Sequence, residues 1–400
     1  MESAASSADV LALLATISAD ALTDEFDDDD DEETLMQMFL IVLVIQQWIE
    51  IEESTPPRPP LVPRLRYRFE FSSQDPMQLF RFSEVELRYI VVLMGEPGEH
   101  RTTSGDKFGL LEGMCILTRR LCYPCRWSDL VALFGRSAAG LSRIYNYMLT
   151  KVIRKYSHLL RFDVRRFVEQ LPLWSAAVAE SCPNTYNTVA LFLDGTHRRT
   201  CRPGPSSANI PAGITRDDIQ RSQYDGRLHR HGQKYHALVA PNGLIVHAFG
   251  PVDGRRHDTT VLRLSGLAAD QADLSVNGID YCIYADSAYA ITRNMQRPFR
   301  EPAENTVEAR MNTVMARART VASECGYSSI SNSWQTIDWV RQQRIFWTRP
   351  SDMYLCAVLF TNIRLCLRRS NVMSEFFNLS DTCPLLNEYL RGDWNTTHQN

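Results

Sequence analysis

The sequence predicts an α/β protein in which a helical region precedes a sheet. Residues 75–180 carry the apolar spacing of helices, whereas residues 186–300 carry the short apolar runs and turn residues typical of strands. One more helix pattern follows the last predicted strand. The predicted organisation is an acidic N-terminal segment with a Pro-rich linker, a helical domain, a sheet-containing domain and a C-terminal tail, over residues 1–60, 75–180, 186–370 and 371–400.

Charge is distributed unevenly along the 400 residues. Residues 1–55 contain 15 Asp and Glu and no Lys or Arg, so all 43 basic residues lie in the rest of the chain. Like charges at this density repel, which predicts a solvated, flexible N-terminal segment. The basic remainder is suited to a polyanion such as nucleic acid, although many proteins are mildly basic.

Cysteine usage and hydropathy predict a soluble protein of a reducing compartment. The ten cysteines lack the rhythm of a disulfide scaffold, and the first residues lack the basic start of a signal peptide. Cys122 and Cys125 have metal-pair spacing without a second pair, so two packed thiols are the favoured interpretation. The longest apolar run, 39–45, is too short to cross a bilayer, and no membrane partner is expected.

The helical region contains recognisable start and stop signals. Ser83 followed by Glu86 forms a capping-box pattern that begins the helix ending at Met94. A second helix is predicted from Ser104 to Leu121, before Pro124.

Residues 127–149 have the pattern of a helix-turn-helix unit. A short apolar helix, a glycine turn, a serine N-cap and a second amphipathic helix follow one another. In this interpretation Ser137, Arg143 and Asn146 face a DNA groove. Helical hairpins of other proteins share the pattern, so a packed hairpin is the alternative.

The sheet region begins with a strand over 189–194 and continues with a hairpin. The runs 234–240 and 244–249 flank Pro-Asn-Gly, a strong turn signal. A helix over 258–268 and a strand over 281–286 complete the order of strand, hairpin, helix and strand, before the last helix.

Three carboxylates in this region are candidates for one site. Two apolar runs end at Asp194 and Asp286, and Glu324 lies at the edge of the apolar stripe of the helix 307–325. Oxygen ligands suit hard cations, and paired metals drive phosphoryl transfer. Glu308 lies on the opposite face of that helix. Taken singly, such aspartates usually cap turns and such glutamates are usually solvated.

An ordered series of motifs carries a family resemblance. The chain resembles the DDE superfamily endonucleases of the PIF/Harbinger transposase type, including Harbinger-derived nucleases, over roughly residues 75–391. The motifs are Leu193-Asp-Gly-Thr-His197, Tyr224-Asp-Gly226 with Lys234-Tyr-His236, Pro241-Asn-Gly-Leu-Ile245, Gly254-Arg-Arg-His-Asp258, Ala285-Asp-Ser-Ala-Tyr289, Met311-Asn312, Arg319 and Glu324-Cys-Gly-Tyr327.

The resemblance implies an RNase H-like mixed sheet flanked by helices and preceded by the helix-turn-helix-like domain. In it, Asp194, Asp286 and Glu324 are the catalytic residues and bind two Mg²⁺ or Mn²⁺ ions. The implied activity is that of a DNA endonuclease or transposase that cleaves DNA strands by two-metal phosphoryl transfer, with strand joining as a further suggestion.

The resemblance also implies supporting residues and partners. His257 and Asp258 match a further family motif and are expected to support the site, and His197 is expected to line it. The expected partner is DNA at transposon ends, with a Myb-like partner protein and a homo-oligomer as further suggestions. The expected location is the nucleus.

Two departures from the family pattern affect the third carboxylate. The spacing from Arg319 to Glu324 is one residue longer than in the family, and Cys325 replaces a bulky aromatic residue. A slip of one residue would put Ser323 in the ligand position and inactivate the enzyme. Gly326, Tyr327 and Ile330 fit the family pattern best with Glu324 as the ligand, so the intact triad is the favoured interpretation. The alternative functions are a domesticated, catalytically inactive DNA-binding protein and an interaction protein that uses the acidic N-terminus.

Overall fold

A computed structural model describes residues 70–71, 75–183, 188–204, 214–267, 274–392 and 394. These residues all belong to one compact unit, Tyr67–Asn400. The predicted acidic segment and Pro-rich linker, residues 1–60, lie outside the described residues.

Helices are found on both sides of the strand region along the chain. In chain order they are α1 Pro76–Phe80, α2 Glu84–Met94, α3 Leu110–Cys122, α4 Val131–Phe134, α5 Ala138–Tyr156, α6 Leu171–Ser181, α7 Arg216–Gln223, α8 Asp258–Ser265, α9 Val307–Ser323, α10 Ser329–Ser333, α11 Pro350–Arg368, α12 Val372–Phe376 and α13 Leu386–Arg391. A π-helix, Glu324–Ser328, joins α9 to α10. Short 3₁₀ turns are found at Ser128–Leu130, Ser157–Leu160, Val164–Arg166, Gln335–Asp338 and Val340–Gln342.

The strands form one mixed sheet and two small hairpins. In chain order they are β1 Glu99–Arg101, β2 Lys107–Gly109, β3 Val189–Arg199, β4 Tyr224–Asp225, β5 Arg230–Val239, β6 Ile245–Asp253, β7 Ser275–Val276, β8 Ile279–Asp280, β9 Cys282–Tyr284 and β10 Met295–Gln296.

The large sheet is mixed, as predicted. Its order is β6, β5, β3, β9 and β10, and β4 pairs with the first residues of β5. β5 is antiparallel to both of its neighbours β3 and β6, whereas β9 runs parallel to β3 and to β10. Because α6 and α9 pack on β3 while α8 packs on β5 and β6, helices flank this sheet.

The strands are apolar because they are covered. Residues 189–193 of β3 are buried throughout, which explains why they form a continuous apolar run rather than an alternating one. Residues 245–248 of β6 are also buried, and they include His247. The core extends into the helices, where Trp174, Trp334 and Tyr389 are fully buried.

Local signals predicted α2 well and α3 in part. The Ser83 hydroxyl accepts from the Glu86 amide at 3.2 Å and the Glu86 carboxylate accepts from the Ser83 amide at 2.6 Å, so the capping box is confirmed. The helix predicted from Ser104 begins only at Leu110. The intervening residues form β2, which pairs with β1 around a turn in which Thr102 and Asp106 bond each other.

The predicted β5–β6 hairpin is confirmed. The amide of Gly243 donates to the Ala240 carbonyl at 2.8 Å, and the Ala240 amide donates to the Leu244 carbonyl at 2.9 Å. Gly243 has a φ of +88°, a conformation that glycine adopts at little cost. The helix predicted over 258–268 is α8, which ends where Gly266 adopts a left-handed conformation.

The segment predicted as a C-terminal tail contains α12 and α13, and it packs on the rest of the chain. Met373, Leu386 and Tyr389 are buried there. No helix among the described residues is long and apolar enough to cross a membrane. Within the same residues all ten cysteines are free, and Cys122 and Cys125 are buried thiols.

Candidate nuclease-type site

Asp194 lies within β3 and not at its end. The apolar run stops at Leu193, but the strand continues to Arg199 through polar residues that pair with 232–236 of β5. The expectation that the strand ends in this aspartate is therefore wrong, because backbone pairing with β5 extends the strand beyond its apolar part. Asp194 is half-buried, and its carboxylate accepts from the Gly195 amide at 2.9 Å.

Asp286 follows β9, the strand that runs parallel to β3. Its carboxylate accepts from the Ser287 amide at 2.5 Å and from the Ser287 hydroxyl at 3.1 Å. Because β3 and β9 are neighbouring strands, the two carboxylates are close enough to interact electrostatically. Burial is the main cause of the raised pKa of Asp194, and the negative charge of Asp286 adds a smaller rise.

Helix α9 provides two further polar groups, neither of them acidic. The Arg319 guanidinium forms an ion pair with the Asp286 carboxylate, with Nη1 3.0 Å from Oδ1. One turn later along α9, the Ser323 side chain lies beside Asp194, and its interaction with the carboxylate opposes the rise that burial causes in the pKa of Asp194. The face of α9 that meets the two aspartates thus carries an arginine and a serine.

Glu324 is not among the groups that contact the two aspartates. Its side chain is exposed, and no hydrogen bond or ion pair joins it to Asp194 or Asp286 among the residues that the structure describes. Glu308, the other candidate of the helix, is also exposed, in the first turn of α9.

The π-helix explains why Ser323 and not Glu324 meets Asp194. A π-helical turn accommodates one additional residue in a helix, and such turns are frequent at functional sites. Here it begins at Glu324, so the residues up to Ser323 keep the α-helical register of α9. The one-residue excess after Arg319 is accommodated beyond Ser323.

Tyr327 fixes the π-helix to the sheet. Its hydroxyl accepts from the Ala237 amide at 2.9 Å and donates to the backbone carbonyl of Asp194. Asp194 and Ala237 are paired residues of β3 and β5, so the hydroxyl stands between the two strands. This contact fixes the register of the helix against the strand that carries Asp194.

Cys325 also has a defined place. It is buried, and its sulfur lies 3.4 Å from the Gly243 carbonyl of the β5–β6 turn and 3.2 Å from the Asn371 amide nitrogen. The small side chain lets the turn approach the π-helix, and a bulky aromatic residue would not fit between them.

The electrostatics of the two aspartates differ. Burial raises the pKa of Asp194, and hydrogen bonds from Ser323 and Gly195 together with the charge of Arg319 oppose this without cancelling it. Burial also raises the pKa of Asp286, but the Ser287 amide and Arg319 outweigh it and hold that pKa below its usual range. Asp286 is the more firmly ionised group.

His197, one of the expected supporting residues, lies on the opposite face of β3 from Asp194. Residues three apart in a strand point to opposite faces, so His197 points away from the Asp194 side. Both His197 ring nitrogens are buried and lack partners among the described residues, and burial lowers its pKa. His257 is exposed just before α8.

Asp258 reaches β3 beside Asp194. A side chain built at Gly195 would lie 3.7 Å from the Asp258 carboxyl group. The Asp258 carboxylate is neutralised by Lys234, at 3.1 Å. Burial raises the pKa of Tyr289, and the charges of Asp258, Asp194 and Asp286 raise it further, so its phenol lies near all three carboxylates.

The predicted DNA-reading residues lie at the start of α5 and within it, and each of them has a structural partner. Ser137 is the N-cap, and its hydroxyl accepts from the Gly140 amide at 3.2 Å. Arg143 makes a two-pronged ion pair with Asp106, at 2.6 and 2.8 Å. Asn146 is exposed and donates to the Ser142 carbonyl. The helix before the turn, α4, has only four residues.

The strand order and the paired aspartates agree with a comparison against protein families. Residues 193–362 match the model of the DDE superfamily endonucleases. No curated protein and no solved structure gave a match. The DDE-type segment contains Asp194, Asp286 and Ser323, and it supports a function of the transposase or nuclease type.

DDE superfamily enzymes generally use divalent metals, so the residues of this DDE-type segment can be tested for fit. Nowhere in the described part of the chain do three His, Cys, Asp or Glu side chains form a group that could hold a metal ion. Beside the two aspartates, where a third carboxylate ligand would be needed, lie the neutral hydroxyl of Ser323 and the guanidinium of Arg319. As they stand, Asp194, Asp286, Ser323 and Arg319 do not fit a pair of divalent ions.

Sequence patterns alone did not reveal the roles of Arg319 and Tyr327 in the DDE-type segment. The position of Arg319 could have been inferred from the sequence, because a residue four positions before Ser323 lies on the same face of the helix. The role of Tyr327 depends on a contact with strands about ninety residues away and has no local signal.

Proposed function

We propose that the chain is a transposase-derived DNA-binding protein that has a nuclease-type fold but does not cut DNA by the two-metal reaction. The observation that carries this proposal is the position of Ser323 beside Asp194, with Glu324 exposed to solvent. The strand order of the mixed sheet supports an RNase H-like core, and the resemblance to PIF/Harbinger proteins supports the transposase origin.

Charge is the main physical argument. Asp194 and Asp286 together carry at most two negative charges, and Arg319 offsets one of them at 3.0 Å. Two divalent cations held close together need several anionic oxygens to offset their mutual repulsion. A serine hydroxyl adds none. The arginine already holds one of the carboxylates that a metal would need.

Exposed arginines beside the carboxylates support DNA binding. Arg255 and Arg256 stand in the loop between β6 and α8, next to Asp258, and both are exposed. Within the described residues neither has an ion-pair partner. Guanidinium groups that lack a carboxylate partner suit the phosphates of a DNA backbone.

A second candidate is the metal-dependent endonuclease or transposase that uses Asp194, Asp286 and Glu324 with Mg²⁺ or Mn²⁺. The specific observation in its favour is the approach of Asp194 and Asp286, whose charges act on each other. It requires the last turn of α9 to rotate by one residue, so that Glu324 replaces Ser323 and Tyr327 leaves its strands.

A nicking assay separates the two candidates. Supercoiled plasmid is incubated with the wild-type chain and with Ser323→Glu, in Mg²⁺ and in Mn²⁺. We expect binding without nicking for the wild-type chain, and a gain of metal-dependent nicking in Ser323→Glu, which restores a third carboxylate beside Asp194.

The controls identify the site responsible. Adding Asp194→Ala to Ser323→Glu should abolish the gained activity, and Glu324→Gln should leave the wild-type behaviour unchanged. Metal-dependent nicking by the wild-type chain that disappears in both Asp194→Ala and Glu324→Gln would reject the non-cutting proposal and establish the second candidate.

Several finer assignments are proposals that rest on the resemblance. They are binding to transposon ends, a Myb-like partner protein, assembly as a homo-oligomer and location in the nucleus. Supporting roles for His197, His257 and Asp258 belong with them. DNA contacts by Ser137 and Asn146 rest instead on the helix-turn-helix pattern, whereas the Arg143 guanidinium is engaged by Asp106 and is assigned a structural role.

A further inference from the structure

Four arginines surround the junction of α1, α3, α10 and α11. Arg81 ends α1, Arg119 lies in the last turn of α3, and Arg364 and Arg368 lie one turn apart on α11. Two like charges four residues apart on a helix repel each other. An arrangement that brings further arginines to such a pair therefore needs an explanation.

Contacts through Ser333 bring three of these side chains together. Arg81 Nε donates to the Ser333 carbonyl at 3.3 Å, and Arg364 Nη1 donates to the Ser333 hydroxyl. Arg368 Nη2 donates to the carbonyl of Arg81 at 3.1 Å. The three guanidinium groups thus share one small region of surface. We name Arg81, Arg364 and Arg368 the arginine cluster.

The arginine cluster has no carboxylate partner among the described residues. The nearest acidic influence is Glu86, whose carboxylate already accepts from the Ser83 amide in the capping box of α2. Burial, together with the positive charges of Arg368 and Arg81, lowers the pKa of Arg364 to about 10. Arg364 remains charged at neutral pH, in a region that favours an anion.

Several donors of this region are unused. The Nε atoms of Arg364 and Arg119 are buried and have no hydrogen-bond partner among the described residues. The positive charges of Arg81, Arg119 and Arg364 all oppose the rise that burial causes in the pKa of the Cys122 thiol. Arg119 therefore lies at the edge of the same region. Arg81 has a φ of +63°, a conformation that favours glycine, and an arginine is kept there at a conformational cost.

We propose that the arginine cluster binds a phosphate group of the DNA backbone. Planar guanidinium groups donate in pairs to phosphate oxygens, and a phosphate would offset the uncompensated charge. DNA is the source favoured by the matched nuclease-type segment, so the proposal rests on the proposed function. In addition to the candidate site, DNA would then contact the helices α1 and α11.

The test combines a phosphate probe with DNA. Inorganic phosphate should raise the melting temperature of the wild-type chain above its value in chloride at equal ionic strength, because a ligand of the native state stabilises it. Arg368→Gln should lose that rise. Its affinity for a random-sequence duplex should fall about threefold to tenfold, with a salt slope reduced by about one unit.

Two variants make the result specific. Arg88→Gln removes an exposed arginine of α2 that is paired with Glu84, and it should keep both the phosphate effect and the salt slope. Arg368→Lys keeps the charge and should keep most of the slope. Melting in chloride checks that each variant is folded.

The outcomes separate this proposal from the proposed function. If wild-type chain and Arg368→Gln bind DNA with the same slope, the arginine cluster is not a DNA contact, although DNA binding itself stands. If the wild-type chain binds no DNA while phosphate still stabilises it through Arg368, DNA is rejected as the source. An equal phosphate effect in both chains rejects the anion site.

Discussion

The guanidinium of Arg319 lies 3.0 Å from the carboxylate of Asp286, at the end of the strand that runs parallel to β3. The nuclease-type interpretation expects both aspartates to bind metal, but one of them, Asp286, is already ion-paired with an arginine. Together with Ser323 beside Asp194, this pair makes the site polar and hydrogen-bonded without making it strongly negative.

Removing Arg319 should change the ionisation of Asp286. Burial raises the pKa of Asp286, and Arg319 is one of the groups that outweigh it. We therefore expect Arg319→Gln to raise that pKa, measured by carbon NMR of labelled aspartate carboxyl groups, with Asp286→Asn used to assign the signal. Arg317→Gln is the matched control, because Arg317 lies on the same helix but stacks on the Phe376 ring. An unchanged Asp286 titration in Arg319→Gln would mean that the ion pair is absent in solution.

Removing the Tyr327 hydroxyl should destabilise the protein. The hydroxyl links the Ala237 amide to the Asp194 carbonyl, and loss of a buried hydrogen-bond partner costs about 1–3 kcal/mol. We expect Tyr327→Phe to lower the free energy of unfolding by that amount in urea denaturation. Tyr89→Phe, on the exposed face of α2, should change it by less than about 0.5 kcal/mol. Equal stability of the two variants would contradict the role of Tyr327 as an anchor of the π-helix.

The sequence predicted the elements that depend on local chemistry. The capping box of Ser83 and Glu86, the Pro-Asn-Gly hairpin and the helix that begins at Val307 are found where their signals lie. Each depends on a few adjacent residues and on short-range hydrogen bonds, so its information is contained in the sequence pattern.

Predictions that depend on tertiary contacts were less accurate. β3 continues past Asp194 because β5 pairs with its polar half, and no local pattern of Gly195 to Arg199 reveals that partner. The choice between Ser323 and Glu324 depends on a π-helix fixed by Tyr327 and by the small Cys325. A helical periodicity that assumes a constant 3.6 residues per turn does not predict where the additional residue is accommodated.

A buried histidine pair should make stability depend on pH. His236 and His247 of β5 and β6 lie with their Nε2 atoms 3.2 Å apart, and His247 Nδ1 accepts from the Phe162 amide at 3.1 Å. Burial, together with a neighbouring positive charge in each case, lowers the pKa of His236 to about 3 and that of His247 to about 4.

The sign follows from proton binding. The unfolded chain binds protons to these histidines below about pH 6.5, whereas the folded chain does so only near their lowered pKa values. Their contribution to stability is thus complete above about pH 6.5, and it is lost as the pH falls toward 4. Each histidine should remove about 1.4 kcal/mol per pH unit within this window.

Urea denaturation between pH 7 and pH 5 measures this effect. His236→Phe should reduce the pH slope of the unfolding free energy by about one proton relative to the wild-type chain. His257→Gln, at an exposed position, serves as the control and should keep the wild-type slope. A His236→Phe slope equal to that of the wild-type chain would show that the pair does not carry the pH dependence.

Because Arg143 forms an ion pair with Asp106, replacing it should affect stability more than DNA binding. Asp106 also accepts from the Thr102 hydroxyl at 2.8 Å, so the pair ties the β1–β2 turn to α5. We expect Arg143→Ala to lower the free energy of unfolding by up to about 1 kcal/mol, because the pair is partly exposed.

DNA affinity should change little in Arg143→Ala, because the guanidinium is already engaged by Asp106. Fluorescence anisotropy with a duplex at several salt concentrations measures the second effect, and Asn146→Ala tests the neighbouring exposed position of the same helix. A salt slope reduced by about one unit in Arg143→Ala would instead establish the phosphate contact and favour the DNA-reading interpretation of α5 over the packed hairpin.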